Sequence, residues 1–157
     1  MNRRFALTGA GLLLAAVTLG LGKDRVDPVN KDGKALALKG YDPVAYFTEG
    51  EARVGSDAHV AVHDGAAYRF VSEANRKAFE KEPGRYLPQF GGFCAYGVTV
   101  GAKFDGDPRV FAVVDGKLYL NLNPDIQAKW EEDVKGNIGK AETGWQGIRD
   151  KDPGELK

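Results

Sequence analysis

Sulfur and imidazole are scarce in this chain. Its 157 residues include one cysteine, Cys94, two histidines, His59 and His63, and one methionine, Met1. A lone cysteine makes no internal disulfide, so the fold must stand on its apolar core. The sequence also lacks a CxxC pair, an HExxH motif, a phosphate-loop spacing and a serine-histidine-acid pattern with a local signature. Net charge is missing as well: 22 Lys+Arg stand against 22 Asp+Glu. Without a basic excess, nucleic acid is not an expected partner.

Long uncharged runs are confined to the start. Two arginines, Arg3 and Arg4, precede an uncharged stretch from Phe5 to Gly22, and charge returns at Lys23. This is the layout of a secretory signal, with Gly20 and Gly22 as small residues for a cut near Gly22. The adjacent arginines also fit a twin-arginine signal, so either export route is open. An uncleaved anchor is the alternative, but 18 residues is short for a span and four glycines weaken it. We therefore expect a signal peptide at 1–22, a periplasmic or secreted product and no stable membrane span once the signal is gone. Its loss would leave 20 Lys+Arg against 22 acidic residues, a slightly acidic domain. Residues 23–35 are polar and read as a flexible tether, and 149–157 as a polar tail.

The remaining stretch, 36–148, is long enough for one core, with 43% apolar residues in the whole chain. "GYDPVAYF" opens with a turn at Gly40 and Asp42-Pro43 and predicts a short helix. From residue 58 the period becomes two, Asp64-Gly65 turns the chain and "AAYRFV" returns, which predicts a hairpin. Ser72 then caps a helix, "SEANRKAFEKE", which Pro83 ends. The same unit recurs: residues 61–79 align without a gap on 112–130, with Asp64-Gly65 on Asp115-Gly116, Ser72 on Asn123 and Phe79 on Trp130. Pro124 takes the favourable first helical position in the second copy. Neither hairpin buries enough alone, so we predict an α+β domain with a small antiparallel sheet built from two hairpin-helix units and covered by helices. Ile138, Ala141, Trp145 and Ile148 share one face of a final helix that should close the core.

"GYDPVAYF", "YRFVSEANRKAFEKEPGRY", "PQFGGFCAYG" and "DGKLYLNLN" together resemble the YHS domain family in its longer, exported bacterial form. The resemblance covers roughly residues 36–148. It implies a binding module for metal or a small ligand, with copper or zinc as the metals to consider and a metal-transport or redox-enzyme partner. Short members carry thiols after the "DPV" motif, after the "YxF" of the second strand and a helical turn later. This chain has Ala45, Val71 and Asn75 at those places, so that thiolate set is missing.

Cys94 is thus the residue on which chemistry turns. As a ligand or nucleophile it would sit in a connection bent by Gly91 and Gly92, with Tyr96 beside it; as structure it would be a small buried group among Phe93, Ala95 and Tyr96. His59 and His63, four apart in a strand, share a face at roughly 13 Å, too far to chelate one ion together. One of them, His59 first, is a candidate partner for Cys94 in a metal pair or in thiol catalysis. Tyr41, Asp42, Gln89, Tyr96 and Asn121 belong to a polar-aromatic set that either lines a small-ligand pocket or caps turns and packs. Three functions remain open: a binding module at Cys94, a thiol-dependent enzyme using Cys94 with a histidine, and a structural or interaction domain.

Overall fold

Two Asp-Gly pairs set the architecture. Asp64 (φ 47°) and Gly65 (φ 75°), like Asp115 (φ 50°) and Gly116 (φ 73°), take the left-handed backbone that a two-residue hairpin turn requires. They join β1 (Ser56–His63) to β2 (Ala66–Phe70) and β3 (Asp107–Val114) to β4 (Lys117–Asn121), both antiparallel. This computed structural model describes residues 28–156. The expected signal peptide, 1–22, and the first part of the tether lie outside the described residues.

The α+β class is as the sequence predicts, but the sheet divides. Each hairpin forms its own two-stranded sheet. Helices complete the layout: α1 (Ala45–Thr48), α2 (Glu73–Lys81), α3 (Pro83–Tyr86), α4 (Ala95–Thr99), α5 (Pro124–Glu131) and α6 (Val134–Ile148). Ser72 Oγ accepts the Asn75 N–H at 3.2 Å to start α2, and Asn123 Oδ1 accepts the Ile126 N–H at 2.9 Å to start α5. Pro83 does end α2, and it also begins α3 at a position where a missing N–H costs nothing.

Two apolar clusters hold the elements together. Phe79 of α2 packs against Tyr68 and Phe70 in the first, and Trp130 of α5 packs against Tyr119 in the second. Each of these fully buried side chains contributes on the order of 2–3 kcal/mol. Ala141 and Ile148 of α6 are buried in the second cluster, with Ile138 and Trp145 packed against it, so the predicted face closes the core. Tyr46 ties the halves together: its hydroxyl donates to the Pro108 carbonyl at 2.7 Å and its ring meets Phe111 edge-on.

The internal repeat reaches further than the sequence alignment does. Register shifts fall at the same place in both hairpins, between Ser56 and Val60 and between Asp107 and Phe111, a displacement of 51 residues. From Asp42 upstream the displacement becomes 52. Leu38, Lys39 and Gly40 (φ 51°, 49°, 83°) correspond to Phe90, Gly91 and Gly92 (φ 54°, 62°, 82°), three successive left-handed residues in each half. The bridge between Tyr41 and Val54 corresponds to that between Phe93 and Asp105. The domain is one supersecondary unit built twice, each copy running from a left-handed turn through a short helix and a hairpin to a capped helix.

Both ends of the domain are tied down. Within the expected tether, the Asn30 N–H donates to the Gly91 carbonyl at 2.8 Å and Asp32 Oδ1 accepts from the N–H groups of Lys34 and Leu36. Residues 28–35 therefore lie along the domain. At the other end the buried Lys103 ammonium donates to the carbonyls of Arg149 at 2.6 Å and Lys151 at 2.7 Å, over the rings of Phe93 and Trp145. That contact caps the carboxyl end of α6 with positive charge.

Candidate functional site

Cys94 is the N-cap of α4, and its side chain is buried at 1% exposure. Its Sγ accepts the Gly97 N–H at 3.4 Å, and the thiol donates to Asn121 Oδ1 at 3.5 Å. The same Asn121 oxygen accepts the Tyr96 N–H at 3.0 Å. On its other side Asn121 Nδ2 donates to Gln127 Oε1 at 2.6 Å, and Gln127 Nε2 donates to Glu131 Oε1 at 2.9 Å. A thiol, an amide and an α5 side chain thus form one hydrogen-bonded chain from core to surface. Burial pushes the Cys94 thiol above its ordinary pKa, against the smaller opposing pull of the Gly97, Leu122 and Tyr96 backbone. At neutral pH the group is a protonated thiol.

Outside this chain of hydrogen bonds lies an apolar pocket of about 210 Å³, lined by Cys94, Tyr96, Val100, Phe104, Leu122 and Ile126, with Gly97 in its wall. Gly97 leaves room there for the Phe104 ring, which would stand 2.8 Å from a Cβ and would have to shift. Val100 is 64% exposed and Phe104 51%, so the mouth of the pocket is an apolar rim in contact with water.

The first copy of the unit provides an internal comparison. Asp42 holds the place of Cys94: its N–H donates to Arg53 O at 2.8 Å as that of Cys94 donates to Phe104 O at 2.8 Å. There the buried carboxylate accepts the N–H groups of Val44 at 2.7 Å and Val71 at 2.8 Å, and the Asn75 side-chain amide at 2.8 Å. Val100 and Phe104 correspond to Glu49 and Arg53, an ion pair at 2.7 Å, and Ile126 corresponds to Asn75. Around one backbone frame, a charged and hydrogen-bonded corner in the first copy has become an apolar pocket over a thiol in the second.

Of the residues singled out from sequence, Cys94, Tyr96 and Asn121 are brought together. Asp42 is buried in the first copy as a helix and loop cap, Tyr41 packs against the first cluster, and Gln89 sits in the turn 89–92 away from the pocket lining. His59 does not join Cys94. Its Nδ1 lies 3.4 Å from the Glu73 carboxylate, while His63 Nε2 lies 3.3 Å from that of Asp64. Among the described residues no three His, Cys, Asp or Glu side chains gather around a common point. The donor set at Cys94, one protonated thiol with amide neighbours, does not suit a soft metal ion, which needs further sulfur or imidazole.

Sequence reasoning missed Val100, Phe104, Leu122, Ile126 and Gln127. The signal was present in the repeat itself: extending the comparison upstream sets Val100 and Phe104 against Glu49 and Arg53, and the aligned stretch already sets Ile126 against Asn75. Comparison of the chain with protein-family models, curated proteins and solved structures found no match.

Proposed function

We propose that this chain is an exported binding module of YHS type that holds a small ligand in the pocket over Cys94. The arginine pair and uncharged run at its start support export to the periplasm or beyond. The observation that carries the binding reading is the pocket itself, open and apolar where the same frame in the first copy is polar and filled by its own hydrogen bonds. Concave apolar sites with a few fixed polar groups are the usual form of small-ligand sites. Burial of the thiol and the absence of an imidazole or cation beside it argue against a thiol enzyme: the one activating feature present, the N-terminus of the five-residue helix α4, is outweighed by burial, which keeps the pKa raised.

The test is thermal unfolding and amide-resolved NMR of residues 23–157 with Cu(I), Cu(II), Zn(II) and a library of small fragments, in wild type and Cys94→Ser. Fragments are expected to shift the amides of Cys94, Gly97 and Leu122, with no metal-specific rise in melting temperature. A rise with Cu(I) that vanishes in Cys94→Ser would instead make the thiol a metal ligand and return the module to metal handling.

A further inference from the structure

We infer that the ligand is an uncharged molecule bearing one aromatic ring or a branched aliphatic group of similar size, an inference that rests on the pocket over Cys94 being the ligand site. Three observations converge on that class. The first is volume. An apolar cavity of about 150 Å³ holds benzene, so about 210 Å³ has room for a ring with a substituent or two inside the pocket.

The second is chemistry. No lining side chain is charged, and the one buried polar group, the Cys94 thiol, is already engaged with Asn121 and Gly97. A carboxylate or ammonium entering here would lose its hydration without gaining a partner. The rings in the lining are those of Phe104 and Tyr96, with Val100, Leu122 and Ile126 as aliphatic walls.

The third is the internal comparison. In the first copy the positions of Val100 and Phe104 are held by Glu49 and Arg53, so the frame accepts an exposed ion pair without difficulty. Exposed apolar side chains at the rim are thus not imposed by the fold. Val100 and Phe104 differ from singly exposed residues such as Val54 and Val62 in standing together at the mouth of a concave apolar pocket, the arrangement that suits a ligand.

The first copy also supplies the test, since its residues are already suited to this backbone. The mature chain is titrated by NMR with indole and p-cresol, and in parallel with benzoate and benzylamine. Indole and p-cresol are expected to move the amides of Cys94, Gly97, Leu122 and Ile126 saturably, at about millimolar affinity for rings of this size. Benzoate and benzylamine should leave them in place. Val100→Glu with Phe104→Arg installs the first copy's pair and should weaken indole binding at least tenfold, with the amides of residues 56–81 unmoved. Ile126→Asn should do the same from the opposite wall, and it carries the test if the double variant does not fold. Unchanged indole affinity in the folded variants, or equal binding of charged and uncharged rings, would overturn the inference. Charged fragments or Cu(I) shifting these same amides would overturn it while leaving Cys94 at a binding site. Silence of these amides toward every probe would end both readings.

Discussion

Cys94 stands in the second copy where Asp42 stands in the first, each with its N–H on the carbonyl ten or eleven residues ahead, at Phe104 and Arg53. One position serves as a fully bonded structural carboxylate and the other as a protonated thiol under a pocket. Their mutational costs should differ accordingly. Asp42→Ala leaves the N–H groups of Val44 and Val71 and the Asn75 amide without an acceptor, which should cost about 3 kcal/mol. Cys94→Ala removes only weak sulfur hydrogen bonds and a small volume, at about 1 kcal/mol. Urea unfolding of the two variants measures both, and equal losses would contradict the structural role given to Asp42.

The duplication makes a second pair of predictions. Gly55 and Gly106 are equivalent and both are crowded: a Cβ would meet the Arg69 carbonyl carbon at 2.4 Å in one case and the Gly92 oxygen at 2.6 Å in the other. Alanine at either should cost about 2–3 kcal/mol by overpacking. Gly84→Ala, in α3 with nothing within 4 Å, should leave the melting temperature unchanged or slightly raised.

Lys103 fixes the end of the chain through the carbonyls of Arg149 and Lys151. Lys103→Met keeps much of the side-chain volume against Phe93 and Trp145 but loses both hydrogen bonds. The expected loss is about 2 kcal/mol, the range for a hydrogen bond with a charged donor. Limited proteolysis should then cut after residue 148 faster than in wild type. Cleavage at the wild-type rate would show that the tail is held by other contacts.

Much of the fold could be read from the sequence because its signals are local. Asp-Gly turns, the caps Ser72 and Asn123 and the spacing of Ala141, Trp145 and Ile148 each act within a few residues, and each appears where it was predicted. The separation into two sheets was not legible, since alternation tells which face of a strand is buried but not which strand lies beside it. The upstream half of the repeat was hidden for two reasons. From Asp42 upstream its displacement is 52 rather than 51, which breaks an ungapped match, and nearer the hairpin, where the displacement is still 51, equivalent residues are opposite in polarity, as Arg53 and Phe104 show. Cys94 and Asn121 were legible as candidates, whereas Gln127 looks like any solvated helix residue until Asn121 is seen to donate to it.

The Cys94 thiol sets a signature at alkaline pH. In the unfolded chain a cysteine ionises near pH 8.5, whereas burial holds the folded thiol neutral to higher pH. The folded state therefore binds a proton that the unfolded state releases. This contribution to stability is complete below the unfolded value and is lost as pH rises through the folded one. Wild type should lose melting temperature above about pH 8.5 more steeply than Cys94→Ser, whose hydroxyl does not titrate there. The comparison cancels the two buried tyrosines, Tyr46 and Tyr119, whose raised pKa values act in the same direction in both proteins. Iodoacetamide gives an independent reading. At pH 7.5 the folded thiol should react about a hundredfold more slowly than in urea, because it is both protonated and covered. Parallel alkaline profiles for the two proteins, together with fast alkylation of the folded chain, would show instead that Cys94 is an accessible thiolate, and the pocket would then have to be read as the entrance to a reactive site.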